Sequence, residues 1–152
     1  MESEPEYIQI KQLGIANAAV ACQLFLLLQQ VFDIATITPI SKTYAENLLA
    51  NPDFIAFAAF RKDELAGGLT AYVLPMTYAE YAEVYIYDVA VKPEFQRMGI
   101  GKKLLAAIKD YCRQNEIKEI FVQADEADQC ALDFYRAMGG IEEKVRHFTY
   151  RP

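Results

Sequence analysis

Six residues, Gln96-Arg97-Met98-Gly99-Ile100-Gly101, stand between a dense apolar run and an amphipathic stretch, and their types suit the holding of a phosphate. Glycine lets a chain turn tightly and bring its backbone against a ligand. If a helix opens directly after such a turn, its first N–H groups have no intrahelical acceptor and converge on one spot. The helix dipole favours an anion there. Charge agrees, because residues 92–103 carry Lys92, Arg97, Lys102 and Lys103 against Glu94 alone, a local charge of +3 in an acidic chain. Cations at a helix N-terminus oppose the dipole, at about a few tenths of a kcal/mol each, and a bound pyrophosphate reverses that sign. Established nucleotide patterns fit poorly: Leu104 replaces the third glycine of a dinucleotide fingerprint, and no G-K-[ST] ending follows. A lone pair of glycines also serves simply to shape a turn.

Positioning this turn is the work of the flanking elements. Residues 7–11 read as a first strand, and residues 14–32 carry Val20, Leu24, Leu27, Leu28 and Val31 at helical spacing. A second helix is expected from Ser41 or Lys42 to Ala50, before the break Asn51-Pro52-Asp53. Residues 54–61 and 65–74 flank a charged turn and read as a hairpin. Residues 76–82 form a connection, and residues 83–91 a further strand. A helix over 99–115 follows, with Leu104, Leu105, Ile108 and Tyr111 in one stripe. Then come a strand over 118–124, a helix over 127–138 and a last strand over 141–150. This order predicts an α/β chain with a mixed sheet and helices on both faces.

With 152 residues, 53% hydrophobic and 24% charged, the chain fits a single globular domain over 1–152. Cys22, Cys112 and Cys130 are widely spaced and His147 is the only histidine. A structural zinc needs about four such ligands, so no metal is expected, and unpaired thiols suit a reducing cytoplasm. The opening Met1-Glu2-Ser3-Glu4-Pro5 is acidic, unlike the basic start of a signal peptide. The greasiest stretch, 16–28, is too short and too polar to span a membrane. A net charge of −6 disfavours nucleic acid and suits a cationic small molecule.

The run Val89-Ala90-Val91-Lys92-Pro93-Glu94-Phe95-Gln96-Arg97-Met98-Gly99-Ile100-Gly101-Lys102-Lys103-Leu104-Leu105 resembles the acetyl-CoA motif of the GNAT superfamily of N-acetyltransferases, and Ala131 to Gly140 is similar to its penultimate helix. The resemblance implies a mostly antiparallel central sheet flanked by helices. It implies that amides from Gln96, Arg97, Met98, Gly99, Ile100, Gly101 and Lys102 hold the pyrophosphate of acetyl-CoA. The strand edge at Val89, Ala90 and Val91 would pair with the pantetheine arm, one of its amides polarising the thioester carbonyl. It also allows a homodimer.

Acetylation needs a neutral amine, whereas an amine with a pKa of about 10.4 is protonated at neutral pH. Asp88, a carboxylate in an apolar strand beside the implied thioester, is the first candidate base, and Glu83, at the start of that strand, the second. Asp88 also fits a purely structural role, as a buried carboxylate capping backbone N–H groups. Tyr135 matches the tyrosine that the superfamily places near the sulfur, and a phenol can donate to the leaving thiolate. Cys130 has no histidine beside it in sequence and reads as structural.

A narrower resemblance runs through Phe57 to Phe60, Ala71 to Pro75, Tyr85 to Val91, Val122 to Asp125 and Glu142 to Phe148. These look like type I aminoglycoside 3-N-acetyltransferases, whose acceptors carry several ammonium groups. Asp125, Glu126, Asp128, Glu142 and Glu143 would then form an acidic rim for the substrate. Asp128-Gln129-Cys130 departs from the paired acids and proline of that pattern. A polyamine or peptide amine as acceptor, and a non-catalytic acyl-CoA sensor, are the competing readings.

Overall fold

The structure, a computed structural model, describes residues 7–152. The acidic opening weighed against a signal peptide lies outside the described residues. The chain divides into two compact units, one ending at Val122 and one spanning Gln123–Pro152.

The first unit is built on a five-stranded sheet in the order β1-β2-β3-β4-β5. Its strands are β1 (Ile8–Gln12), β2 (Phe54–Arg61), β3 (Glu64–Pro75), β4 (Ala82–Val91) and β5 (Glu119–Val122). All pairings are antiparallel except the parallel one between β4 and β5. The helices are α1 (Ala18–Val31), α2 (Lys42–Ala50) and α3 (Ile100–Gln114), with single 3-10 turns at Ile15–Asn17 and Pro93–Phe95. Residues 54–59 of β2 are all buried, as expected of a strand covered on both faces. Phe54, Ala56 and Ala58 join one cluster with Leu24, Leu27 and Leu28 of α1. The alternate residues Ile55, Phe57 and Ala59 face the other way, the side on which α3 buries Leu104, Leu105, Ile108 and Cys112.

Small residues bring α1 close to the sheet. A Cβ on Gly68 would lie 2.3 Å from Cδ1 of Leu24, so glycine there is what admits the leucine, and Ala56, Ala58 and Ala90 extend the same shallow bed. Ser41 caps α2, its hydroxyl accepting from the Tyr44 N–H at 3.1 Å.

In the second unit, α4 (Gln129–Ala137) is capped by Asp128, whose carboxylate accepts from the Ala131 N–H at 3.0 Å. It ends in a Schellman motif: the Gly140 N–H donates to the Tyr135 carbonyl and Gly139 adopts φ +86°. Here the sequence expectation of a last strand over 141–150 is corrected. No strand pairing among the described residues includes that segment, and Ile141 and Tyr150 are 94% and 87% exposed. A strand exists only through its ladder. The apolar residues Ile141, Val145, Phe148 and Tyr150 also miss a period of two, with charged residues between them.

The three cysteines are free, and burial pushes the Cys112 thiol up to about 11. Among the described residues no helix is long and apolar enough to cross a membrane.

Candidate functional site

The turn between β4 and α3 has the geometry of an anion cradle. Arg97 and Gly99 both take left-handed backbone conformations, at φ +62° and +79°. Such alternation turns successive N–H groups towards one concavity, and at Arg97 it costs about 1 kcal/mol or more that a glycine would not incur. A Cβ on Gly99 would meet nothing within 4 Å, so the protein leaves that side of the backbone open. The first intrahelical bond of α3 runs from the Lys103 N–H to the Gly99 carbonyl at 3.0 Å. The amides of Ile100, Gly101 and Lys102 precede it and have no helical acceptor. Gln96 braces the turn, its side-chain amide donating to the Val91 carbonyl at 3.1 Å. One cation of the predicted set is engaged elsewhere: Lys92 pairs with Glu64 of β3 at 3.2 Å. Arg97, Lys102 and Lys103 are exposed. This arrangement fits a diphosphate.

Strand β4 leads into that cradle and carries two irregularities. First, β5 pairs only with Glu83–Ile86, whereas β3 follows β4 as far as Val91. Beyond Ile86 the β5 side of β4, including Val89, Ala90 and Val91, therefore has no strand partner among the described residues. Second, Thr70 pairs with Asp88 and Ala71 with Ile86, so Tyr87 is an extra, bulged residue. Bulges re-aim side chains, and here Asp88 and Tyr87 join the face that carries Thr70 and Tyr72.

Asp88 is half-buried and its carboxylate accepts a short hydrogen bond from the Thr70 hydroxyl. Thr70 is the one buried polar or charged residue among those described, 3% exposed. Burial pushes the Asp88 carboxyl above its usual range, while the Thr70 hydroxyl pulls the other way. Both groups line a cavity of about 280 Å³ whose walls come from α1, the α1–α2 connection, α2 and the sheet: Phe25, Phe32, Ile34, Tyr44, Tyr72 and Tyr87. Burial also holds the Tyr72 phenol above its ordinary value, keeping it neutral. Glu83 lies five residues from Asp88, about 16 Å along the strand, and does not line this cavity. A larger hollow of about 510 Å³ beside the β2–β3 turn and Phe95 contains none of the sequence-predicted site residues.

Reading the sequence alone missed the aromatic walls and Thr70. One signal was present: residues 32–40 hold Phe32, Ile34, Ile37 and Ile40 with neither helical nor strand periodicity, as apolar residues do when they wall a cavity instead of filling a core.

The second unit holds Tyr135 and the predicted acids. Tyr135 is half-buried, and burial, with Asp128 adding to it, pushes its phenol up to about 12. Asp125 and Asp128 spend one carboxylate oxygen each on local backbone bonds, to the Ala127 and Ala131 N–H groups. Glu142 accepts from Nε and Nη2 of Arg136, at 3.0 and 2.7 Å, which holds its carboxyl below the usual range. Glu126 and Glu143 are exposed.

The model of the acetyltransferase (GNAT) family matches residues 24–139. A crystal structure of an aminoglycoside acetyltransferase from an uncultured soil metagenomic sample, in complex with trehalose, is 37% identical, superposes with a TM-score of 0.93 and covers 97% of this chain and 98% of that one. The same protein has been solved in complex with sisomicin. A second aminoglycoside acetyltransferase from an uncultured soil sample is 32% identical, with a TM-score of 0.90 over 96% of this chain and 99% of that chain. The ribosomal protein bS18-alanine N-acetyltransferase of Escherichia coli (strain K12) is 25% identical over 68 residues, 45% of this chain, which spans 46% of that relative's length.

Proposed function

The chain belongs to the GNAT family of acetyltransferases, and from that premise we propose that it transfers the acetyl group of acetyl-CoA directly onto a primary amine of a polycationic, aminoglycoside-like molecule. The observation that carries this reading is the arrangement of β4. One strand bears a half-buried carboxylate in an aromatic cavity, an edge without a strand partner beyond Ile86, and a diphosphate cradle at its end.

Bound acetyl-CoA supplies an activated acyl thioester. The amides of Arg97 to Lys102 hold its diphosphate, and the β4 edge at Val89, Ala90 and Val91 aligns the arm, an edge amide receiving charge that develops on the carbonyl oxygen. Asp88 takes the proton of the incoming ammonium. Burial makes it more basic than a surface acid, and the Thr70 hydroxyl keeps its charged form populated. Glu83, outside the Asp88 cavity, stays the second candidate for the same role. Tyr135 donates to the departing thiolate; a phenol pushed up to about 12 stays protonated throughout the working range.

An aminoglycoside acceptor is supported by the 37% identity over nearly the whole of a neighbour solved with sisomicin. The resemblance of the β4 and terminal motifs to the type I enzymes makes the 3-amino group the expected target. Asp125, Glu126, Asp128, Glu142 and Glu143 attract the remaining ammonium groups, with Glu126 and Glu143 the freest to do so. We read both units as one acetyltransferase domain, since the family match crosses from one to the other.

A panel of amines with acetyl-CoA tests this: an aminoglycoside, spermidine and a lysine peptide, followed by release of free thiol, with the acetylated nitrogen located by NMR. The aminoglycoside should turn over fastest. Binding of CoA with no thiol release from any amine would instead indicate an acyl-CoA-binding module.

A further inference from the structure

Four aromatic rings carry the wall of the Asp88 cavity onward along one face of the sheet. Tyr72 of β3 meets Tyr87 edge to face at 5.8 Å, and Tyr87 meets Tyr85 in the same manner at 5.6 Å. Tyr85 stacks on Phe121 of β5, 4.8 Å between centroids and 5° from parallel. Register explains the row. Tyr85 pairs with Tyr72 on one side and Phe121 on the other, so three neighbouring strands each place a ring on one line, and the bulged Tyr87 fills the gap between two of them. The bulge also leaves Tyr87 62% exposed. Sheet faces that meet water normally carry polar residues; here Tyr87 is the exposed ring of the row, and Tyr72, Tyr85 and Phe121 are half-buried.

Size indicates what that contact is. Pockets that enclose a drug-sized ligand measure about 300–1,000 Å³, and this cavity is about 280 Å³. It lies at the small end of that range and is open to solvent, so a multi-ring amine extends beyond it. Tyr72 and Tyr87 line it, whereas Tyr85 and Phe121 lie outside. The remainder of a multi-ring amine anchored at Asp88 must leave the cavity, and the aromatic row is a surface adjoining its wall.

We infer that the exposed Tyr87, held edge to face between Tyr72 and Tyr85, is a stacking platform that selects multi-ring amines, taking the CH-bearing face of the ring next to the one whose amine lies at Asp88. This rests on the reading of the Asp88 cavity as the acceptor site. An exposed aromatic ring attracts a nearby cation by about 0.5–1 kcal/mol, which a polyamine shares; a linear polyamine has no CH-bearing ring face to lay against it. The platform therefore discriminates by shape, and the carboxylates by charge.

The test is calorimetric binding of a three-ring aminoglycoside, its isolated central aminocyclitol ring and spermidine to the CoA-loaded protein, with acetylation rates measured alongside. Tyr87→Ala should weaken the three-ring amine about two- to five-fold and the other two by less, while Tyr87→Phe binds all three as the parent does. Tyr85→Ala should weaken the three-ring amine about three-fold, and far-ultraviolet circular dichroism verifies that each variant is folded. Unchanged three-ring affinity in folded Tyr87→Ala and Tyr85→Ala, with the parent acetylating that amine, overturns the platform and leaves the acetyltransferase reading intact. Ring-dependent binding without acetyl transfer has the opposite meaning. Equal weakening of all three ligands also overturns the platform, since the tyrosines would then act only through the cavity.

Discussion

Replacing Thr70 by valine removes one hydrogen bond from Asp88 and little else, which makes it a sharp probe of the proposed base. Two opposing influences act on that carboxyl: burial raises its pKa, and the Thr70 hydroxyl lowers it. Valine leaves the first in place and abolishes the second, so the pKa of Asp88 must rise. A hydrogen bond to a charged group contributes about 1.5–3 kcal/mol, and 1.36 kcal/mol corresponds to one pH unit. Asp88 retains some access to water, which replaces part of the loss, so the expected rise is about one unit. The base works ionised. The acid limb of kcat/KM should accordingly move about one unit to higher pH, costing up to roughly ten-fold in rate below the limb and almost nothing on the plateau. The assay is thiol release across pH for the parent, Thr70→Val and the control Thr70→Ser, which keeps the hydroxyl and the parental limb. If the limb stays still or moves to lower pH while turnover persists, Asp88 is not the titrating base. A lowered plateau with an unmoved limb would mean that Thr70 shapes the cavity alone.

Asp88→Asn should lower turnover by about 10²–10⁴-fold while CoA affinity, read by calorimetry, changes no more than a few fold. Gly99→Val forces a β-branched residue into the left-handed region, so it should cost about 1–2 kcal/mol of stability in urea unfolding and abolish CoA binding, since its side chain occupies the side the protein leaves open. Tyr135→Phe should slow transfer without moving either pH limb below about pH 10, because the phenol it replaces titrates near 12. Ser41→Ala removes the cap of α2 and should destabilise by about 1 kcal/mol, visible as a lower Tm.

Where an element announces itself by local chemistry, the sequence located it closely. The hairpin of β2 and β3 follows from two apolar runs meeting at Lys62-Asp63, and α3 from a glycine turn followed by a single apolar stripe. The same local logic failed at 141–150. Val145 and Phe148 have strand propensity, yet whether they form a strand depends on a partner edge that no local pattern encodes.

The site divides along the same line. The proposed diphosphate cradle is contiguous in sequence, so its glycines and cations could be read directly. Even there the left-handed Arg97 was invisible, because that residue type does not advertise a positive φ, and the Lys92–Glu64 pair joins residues 28 positions apart. The Asp88 cavity is assembled from α1, the 32–40 connection, α2, β2, β3 and β4, and no window of sequence contains it. Asp88 could be singled out as a carboxylate in an apolar strand, but the reason it is tolerable there, Thr70 across the ladder, depends on the register of β3 against β4. One bulged residue decides that register. With a regular ladder continued from the Ala71–Ile86 pair, Thr70 would still face α1, but its partner would be Tyr87 and the carboxylate would turn to the side of α3. The chemistry proposed for this chain therefore hangs on the extra residue in β4 as much as on the carboxylate beside it.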